Sequence, residues 1–492
     1  MQCAQGPALA PQRQCGYAPG EGWRAATAAP DPSRQCISNR MEKEPVMSQE
    51  VTRTLARWIV GSRLADIPAE VRKSGVSSFL NWMGCAVGGS AHETLDRAIA
   101  ALAPFAGPGQ ATIIGRREHF DVMHAALLNG MSSHVFDFDD THLKTIIHPA
   151  GPIASAVLAM AEYQPLSGAE LLHAFIIGIE VECRIGNAVY PAHYDIGWHI
   201  TGTAGVFGAA AAVGKMLGLD EQQMTWALGI AGTQSAGFRE MFGTMCKSFH
   251  PGRAAQNGIA SALLAKQNFT SSNRVLEAPR GFAHVMSTAR NFDEITRDLG
   301  KVWETALNSY KPFACGIVIH PSIDGCIQLR NEHGLKAEDI KKIDLIVDPL
   351  VLELTGKKTP QTGLEGKFSV YHSCAAAIIY GAAGENEYGD DIVRDPRVMS
   401  LRDKVEAVAK DDINEDEVYV TITLNDGRVL KKHVEHAIGS IEKPMSREQL
   451  VAKFDSLARD VLPVERADAL RELCWKMEDL ADAGDLARAA AL

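Results

Sequence analysis

Residues 168–190 read GAELLHAFIIGIEVECRIGNAVY, and this stretch decides the class of fold because it is apolar on nearly every side. A helix at a protein surface has one apolar stripe, whereas a helix that is apolar all round is buried. GPIASAVLAMAEY at 151–163 and HAALLNGMSSHVF at 124–136 have the same character. Several such helices can bury each other only in a large helical body, so the sequence predicts one here.

The helical pattern extends over residues 49–299. EVTRTLARWIV near its start places Val51, Leu55, Trp58 and Ile59 on one helical face. Gly and Ala are frequent throughout this region and allow helices to approach closely, so their abundance does not indicate a cofactor site.

The pattern changes after about residue 310. IKKIDLIVDPLV at 340–351 is rich in β-branched residues and predicts a strand. VYVTITLNDGRVLKKHVEH at 418–436 alternates apolar and polar residues around Asn-Asp-Gly, which predicts a β-hairpin. From Ser446 the pattern is helical again.

The predicted fold class is therefore mainly α, with a large all-helical domain and an inserted, smaller α+β lid domain. We place the helical domain at 47–304 and the lid at 305–438. The C-terminal helices at 439–492 are expected to pack back on the helical domain. Residues 1–46 hold six prolines and three cysteines without apolar periodicity, which predicts a disordered extension.

The extension is not typical of a secretory signal peptide, because it has no apolar central stretch. A transit peptide, or a start codon placed upstream of a true start at Met41 or Met47, remain alternatives. We expect a cytoplasmic protein.

Composition narrows the classes of partner. The chain has 492 residues and a net charge of −11, and it shows no basic patch, so it is not typical of a nucleic-acid binder. Its ten cysteines include no C-x-x-C pair, which favours free thiols. No apolar run reaches the ~18 residues that a membrane span needs, so we expect no membrane partner.

Residues 135–151, VFDFDDTHLKTIIHPAG, concentrate polar groups in an apolar context. Its candidate residues are Asp137, Asp139, Asp140, Thr141, His142 and His148. The run is open to three interpretations: an acid–base site, a metal site that uses Asp137, Asp139 and His142, or a polar loop that caps a helix. The metal hypothesis is weakened because the spacing matches neither an EF-hand nor H-E-x-x-H.

YDIGWHITGTAGVFG at 194–208 places His199 just before a Gly- and Ala-rich helix. Its glycines follow G-x-x-G-x-x-G, not the dinucleotide order G-x-G-x-x-G. Lys215 is followed by Met216, where a phosphate loop requires Ser or Thr. A nucleotide cofactor is therefore not predicted.

MCKSFHPGRAAQNG at 245–258 spaces Lys247, His250 and Arg253 three residues apart. Pro251 suits the first turn of a helix whose free amides could bind a carboxylate. The alternative interpretation is a solvated basic turn.

Two further candidates are His320 in KPFACGIVIHPSIDG (311–325) and Tyr371 in GKFSVYHSCAAA (366–377). Taken alone, each is more typical of a packed core residue than of a site residue. A Ser–His–Asp hydrolase is disfavoured because there is no G-x-S-x-G sequence.

In order and spacing, DFDDTH…HPAG, GWHITGT, KSFHPGRAAQNG, KPFACGIVIHPSID and GKFSVYH resemble the MmgE/PrpD family over about 49–480. That family includes 2-methylcitrate dehydratases, cis-aconitate decarboxylases and an iminodisuccinate epimerase. The resemblance implies a helical domain with an α+β lid, a site between them and homodimers. It also implies no metal or other cofactor in the decarboxylase and epimerase branches.

The resemblance implies a site that contains Asp137, Thr141, His148, His199, Lys247, His320 and Tyr371. Of these we assign the catalytic roles to Asp137, His148, His199, Lys247, His320 and Tyr371. The expected substrate-binding residues are Thr141, His142, His250 and Arg253.

The chemistry of these side chains fits a small anionic polycarboxylate. Family reactions begin or end with a proton at the carbon beside a carboxylate, and Lys247 would stabilise the charge that builds there. Histidine as a residue type titrates near neutrality, which suits His148 and His199 as candidates for proton transfer. We expect a cofactor-independent lyase that removes CO2 or water from a di- or tricarboxylate. An epimerase at a carbon α to a carboxylate and a non-catalytic binding protein are the alternatives.

Overall fold

The structure is a computed structural model and describes residues 50–492. The predicted disordered extension at 1–46, and the candidate starts at Met41 and Met47, lie outside the described residues.

Helices make up most of the described chain, which confirms the predicted fold class. In chain order they are α1 Val51–Gly61, α2 Ala69–Gly89, α3 Glu93–Leu102, α4 Val122–His134, α5 Ala150–Tyr163, α6 Gly168–Val189, α7 Ala192–Asp195, α8 Ile200–Met216, α9 Glu221–Gly232, α10 Met245–Lys266, α11 Phe282–Met286, α12 Asp293–Thr296, α13 His320–His333, α14 Pro349–Thr355, α15 Gly363–Gly366, α16 Val370–Tyr380, α17 Asp390–Val393, α18 Pro396–Arg402, α19 Arg447–Ala458, α20 Val464–Trp475 and α21 Asp485–Ala490.

The predicted buried helix is α6. It begins with a capping box, in which the Ser167 hydroxyl accepts from the Glu170 amide while the Glu170 side chain accepts from the Ser167 amide. Every residue from 171 to 189 is buried, as the all-round apolar pattern predicted. Among the described residues, no helix combines the length and apolar character that crossing a membrane requires.

Strands form one four-stranded sheet and two short pairs. They are β1 Ala111–Thr112, β2 His119–Phe120, β3 Asp140–His142, β4 Asn308–Tyr310, β5 Ile340–Val347, β6 Val405–Ala409, β7 Val418–Leu424 and β8 Val429–Val434. The four-stranded sheet has the order β6-β5-β7-β8 and contains the predicted strand and the predicted hairpin.

Strands β1, β2 and β3 are the exception to the sequence prediction, which expected helices throughout 49–299, and the partner of β3, β4, follows that range. These strands were not predicted because two or three residues are too few to show a hydrophobic period.

Two hydrophobic clusters organise the chain. The first joins the helices from α1 to α11 and includes residues of α19, α20 and α21. There Phe454 of α19 packs against Gly84 of α2, where an added Cβ would lie 3.0 Å from the phenyl ring. The second cluster holds most of the sheet with α13 and α16. The domain boundaries proposed from the sequence stay predictions.

Helices α4 and α10 cross at a pair of glycines, Gly130 and Gly252. A Cβ added to Gly252 would lie 2.1 Å from the carbonyl oxygen of Leu127, and one added to Gly130 would lie 2.5 Å from the Cα of Gly252. Because backbone atoms meet there, the two helices can lie this close only with glycine at both positions. The crossing brings the start of α10, which carries Lys247, beside the end of α4.

We expect Gly252→Ala to lower the free energy of unfolding by about 1–3 kcal/mol, because the new methyl group meets backbone that cannot rotate away. Gly61→Ala is the control, since no atom lies within 4 Å of its added Cβ. Urea denaturation of both variants measures the difference. Equal stabilities for the two variants would contradict the close crossing.

Candidate active site

Three elements bring Asp137, Lys247 and Lys311 to one point. Asp137 follows α4 and precedes β3, and Lys311 follows β4. Strands β3 and β4 are antiparallel with Asp140 opposite Tyr310, so the segment before β3 lies beside the segment after β4. Asp137 has φ 51°, in the left-handed region that Asp tolerates better than most residues.

The Asp137 carboxylate bridges two buried ammonium groups. Its Oδ1 lies 2.7 Å from Lys247 Nζ and 2.8 Å from Lys311 Nζ. Burial opposes ionisation of Asp137, but the charges of Lys247 and Lys311 outweigh burial and hold its pKa well below the ordinary value. The Asp137 carboxylate is therefore ionised at neutral pH.

The two lysines differ in how many donors they have left. Lys311 Nζ donates to Asp137 Oδ1, to the Asp137 carbonyl at 3.1 Å and to the Cys315 carbonyl at 3.0 Å, which uses all three N–H groups. Within residues 50–492, Lys247 Nζ makes one hydrogen bond, to Asp137. Lys247 therefore has two N–H groups for a ligand, whereas Lys311 holds Asp137 in place.

His148 is held in a defined tautomer. Its Nδ1 donates to the Asp140 carbonyl at 2.8 Å, and because a carbonyl only accepts, Nε2 of the neutral ring carries the lone pair. His148 Nε2 lies 4.0 Å from Asp137 Oδ1. Burial holds the pKa of His148 well below its ordinary value, although the Asp139 carboxylate opposes this.

His199 and His250 form a second imidazole pair, with their Nδ1 atoms 2.8 Å apart. One ring donates and the other accepts, so both cannot be protonated on Nδ1 while this bond exists. Burial, and then the neighbouring His250, holds the pKa of His199 well below its ordinary value. Both rings are therefore neutral near pH 7.

These groups surround one cavity with apolar walls. Its lining residues are Asp137, Ile146, His148, Tyr194, His199, Phe242, Lys247, Lys311, Gly316, Ile317, Val318, Leu354, Thr355 and Phe368. Such a pocket, apolar apart from a few convergent polar groups, is typical of a small-molecule site.

Of the ten residues assigned from the sequence, the cavity wall gathers Asp137, His148, His199 and Lys247. Two more support them: Thr141 Oγ1 lies 3.3 Å from His148 Nδ1, and His250 bonds His199. The roles assigned to these residues stay predictions.

The other four assigned residues lie apart from the cavity lining. The ring of Tyr371 lies beneath Lys358 Nζ, 5.3 Å away. The Arg253 side chain is exposed and bonds Gln256.

His320 lines a neighbouring cavity that shares Ile146, Ile317 and Val318 with the first. His142 binds Glu304 Oε2 through Nε2 at 2.9 Å and Thr145 Oγ1 through Nδ1 at 2.7 Å.

One local expectation is wrong. Pro251 was expected in the first turn of a helix, but α10 begins at Met245, with Thr244 as its N-cap, and Pro251 lies inside it. The predicted carboxylate site at a helix start near Pro251 therefore does not exist. The helix is capped instead by the Thr244 side chain, which accepts a hydrogen bond from the Cys246 amide.

The structure adds Lys311 and His134, which sequence reasoning missed. His134 Nδ1 donates to Asp139 Oδ2 at 2.7 Å, and its ring lies 4.7 Å from that of His148. Both residues were visible as lone ionisable groups at the edges of apolar segments. Their partners are distant in sequence or across a turn, so only the fold identifies them.

Around this cavity, two groups of side chains have spacing that could hold a metal ion, and a third group, Asp416, His436 and Glu442, lies outside the cavity lining. His134, Asp137, Asp139 and His148 offer ligand atoms within 4.8 Å of one another, and so do His134, His148 and His199. However, Asp137 already binds two ammonium groups, whose charges repel a cation. The alternative set of Asp137, Asp139 and His142 does not converge, because both ring nitrogens of His142 bind elsewhere. The two N–H groups that Lys247 has left for a ligand favour an anion at this site.

Asp140 is not part of the cavity lining, and its pKa is shifted in the opposite direction from that of Asp137. Its Oδ2 accepts from Asn308 Nδ2 at 2.5 Å and from the Ala150 amide at 3.2 Å. Burial, and then the Asp139 charge, raises the pKa of Asp140 to about 7. The pKa of Asp140 is thus raised, whereas the pKa of the adjacent Asp139 is lowered. The two differ because only Asp139 has an imidazole partner at hydrogen-bond distance.

Comparison with known proteins gives two family matches. The MmgE/PrpD N-terminal domain matches residues 53–295, and the MmgE/PrpD C-terminal domain matches residues 313–479.

Individual proteins similar to this chain are named cis-aconitate decarboxylase or 2-methylcitrate dehydratase. The chain is 26% identical to cis-aconitate decarboxylase from Aspergillus terreus over 465 residues, which cover 89% of this chain and 95% of the relative. It is 26% identical to human cis-aconitate decarboxylase over 457 residues, or 89% and 94% of the two chains. With 2-methylcitrate dehydratase from Escherichia coli it shares 23% identity over 349 residues, or 66% and 71%.

We expect Asp140→Asn to change how stability depends on pH. A carboxyl whose pKa is about 7 when folded and 3.8 when unfolded stabilises the fold below about pH 4, and this contribution is lost as pH rises through 7. The variant should therefore gain more than ~1 kcal/mol of unfolding free energy relative to wild type between pH 4 and pH 8. Urea denaturation across this range measures it.

Asp426→Asn is the control for that experiment. Hydrogen bonds from the backbone and side chain of Arg428 lower the pKa of the exposed Asp426, so its replacement should act in the opposite direction. A stability difference between Asp140→Asn and wild type that stays constant with pH would contradict the raised pKa.

Proposed function

The chain belongs to the MmgE/PrpD family, and from this premise we propose that it is a lyase that removes CO2 or water from a small di- or tricarboxylate. The observation that carries the proposal is Lys247, a buried ammonium with two N–H groups left for a ligand beside two neutral imidazoles. This arrangement suits binding a carboxylate and moving a proton at the adjacent carbon.

Decarboxylation of a cis-aconitate-like tricarboxylate is the first candidate reaction. The relatives named cis-aconitate decarboxylase align with 89% of this chain, whereas the bacterial 2-methylcitrate dehydratase aligns with 66%. Dehydration of a 2-methylcitrate-like substrate is the second candidate.

Lys247 is proposed to bind the substrate carboxylate on which negative charge builds. A preorganised cation in a site that excludes water stabilises that charge without reorganisation. The phenyl rings of Phe242 and Phe368 lie 5.2 Å and 5.5 Å from Lys247 Nζ and reduce its access to water. Asp137 and Lys311 keep the ammonium in position from the other side.

His148 is proposed to exchange the proton with the substrate carbon. Its fixed tautomer leaves the Nε2 lone pair to accept a proton, and a bound polycarboxylate would raise its pKa toward the working range. His199 is the second candidate, with His250 holding its ring. In decarboxylation the electrons of the broken C–C bond pass to the carbon beside the bound carboxylate, and that carbon then takes a proton from the protonated imidazole. In dehydration the imidazole removes the proton from that carbon, the C–H electrons form the C=C bond, and the C–O electrons leave with the hydroxyl group, which takes up a proton and departs as water.

The proposal includes a homodimer, as the sequence resemblance implies, and a cytoplasmic location, which the resemblance does not address. An epimerase on the same scaffold is the alternative enzyme, because two imidazoles on one cavity could exchange a proton on opposite faces of a carbon. A binding protein without turnover is the non-enzymatic alternative.

The deciding experiment follows the protein in D2O by proton NMR with cis-aconitate, citrate, 2-methylcitrate and iminodisuccinate in turn, with and without a chelator. We expect a new alkene or a lost carboxyl carbon, unchanged by the chelator. Deuterium at the α carbon with an intact skeleton would favour the epimerase instead. Binding without any exchange would favour the non-catalytic protein.

We expect Lys247→Met to lower kcat at least ~100-fold, the usual effect of losing one preorganised electrostatic group, while the fold is kept. Methionine fills the space of the lysine stem beside Phe242 and Phe368. Lys266→Met, at the exposed end of the same helix, is the control and should keep its activity. Near-normal turnover in Lys247→Met would remove Lys247 from the site.

A further inference from the structure

Helix α19 carries a buried lysine that the proposed reaction does not use. Lys453 Nζ lies 4.0 Å from the centre of the Phe138 ring. Among the described residues it forms no ion pair, and its three hydrogen-bond acceptors are all neutral. An unpaired buried ammonium is costly, so its position calls for a specific explanation.

The three acceptors come from parts of the chain that are far apart in sequence. Lys453 Nζ donates to Asn81 Oδ1 at 2.8 Å, to the Phe138 carbonyl at 2.5 Å and to the Lys311 carbonyl at 2.8 Å. Phe138 directly follows Asp137, and Lys311 is the residue whose ammonium holds Asp137. One ammonium thus joins the two backbone segments that carry Asp137 and Lys311, both of which line the cavity.

We propose that Lys453 is a positioning residue for the site: it fixes the peptide groups of Phe138 and Lys311 and thereby sets the spacing of Asp137 and Lys311. This inference rests on the proposed function for its link to turnover. Its structural part, the spacing of Asp137 and Lys311, holds whatever the substrate is.

The number of donors supports this assignment. An ammonium has three N–H groups and meets three acceptors, whereas a neutral amine offers only two. Burial lowers the pKa of Lys453 to about 8, although the neighbouring Cys85 and Asp139 oppose this, so the ammonium is the main form at pH 7. No other side chain of similar length offers three donors from one atom.

The test compares Lys453→Met with Phe454→Leu. Phe454 is the next residue on α19 and packs in the first hydrophobic cluster, so its replacement weakens the same helix without touching the Phe138 or Lys311 carbonyls. We expect Lys453→Met to lower kcat about 10- to 100-fold with a smaller change in KM, since displacement of site groups by about 1 Å costs this much. Phe454→Leu should keep kcat within about twofold, although its Tm falls.

A kcat for Lys453→Met within twofold of wild type, or an equal loss in both variants, would overturn the proposal. If Lys453→Met does not fold, Lys453→Gln takes its place, because its amide keeps two N–H donors. Its kcat should then lie between wild type and the loss expected for methionine, and an unchanged kcat would again overturn the assignment.

Crystal structures separate this inference from the proposed function. In the variant, the distance between Asp137 Oδ1 and Lys311 Nζ should exceed the 4 Å of an ion pair, against 2.8 Å here. An unchanged distance would overturn the positioning role. If wild type turns over none of the four substrates, the proposed function fails, and this distance alone decides the role of Lys453.

Discussion

The ion cluster of Asp137 with Lys247 and Lys311 is the constraint on which the rest of the site depends. Three charges are removed from water, and their mutual contacts at 2.7 and 2.8 Å offset that cost. This geometry requires both the α4–α10 glycine crossing and the β3–β4 pairing. The crossing places Lys247 beside Asp137, and the strand pairing places Lys311 there. Asp137 meets both lysines from a left-handed backbone conformation, which fixes the loop before β3.

The histidines around this cluster are neutral, and hydrogen bonds fix the orientation of their rings. The site therefore differs from a simple patch of positive charge. His148 and His134 each donate Nδ1–H to an oxygen, and the free side of each ring is then Nε2. The proposed function thus assigns binding of an anion and transfer of a proton to different residue types. In that proposal Lys247 binds the anion, and the imidazoles change protonation when the anion binds.

The sequence was sufficient for the helical body, the sheet and the family, because each leaves a repeated pattern. The all-round apolar character of α6, the alternation in β7 and the ordered motifs each extend over many residues. It was insufficient for Lys311 and Lys453, since the bond of Lys311 to Asp137 and all three hydrogen bonds of Lys453 join residues that are remote in the chain. His142 shows the converse case: it lies in the motif that forms the site, but its ring binds Glu304 and Thr145, so its assigned role stays a prediction.

Pairing of β3 with β4 has a consequence for how this enzyme could be recombined with its relatives. The region matched by the N-terminal family domain supplies β3, whereas β4 and Lys311 lie in the short connection before the C-terminal domain begins at residue 313. A chimera joined in that connection before β4 would combine a native Asp137 loop with a foreign strand. A functional junction therefore has to fall after Lys311, and α19 has to come from the same parent as the Asp137 loop.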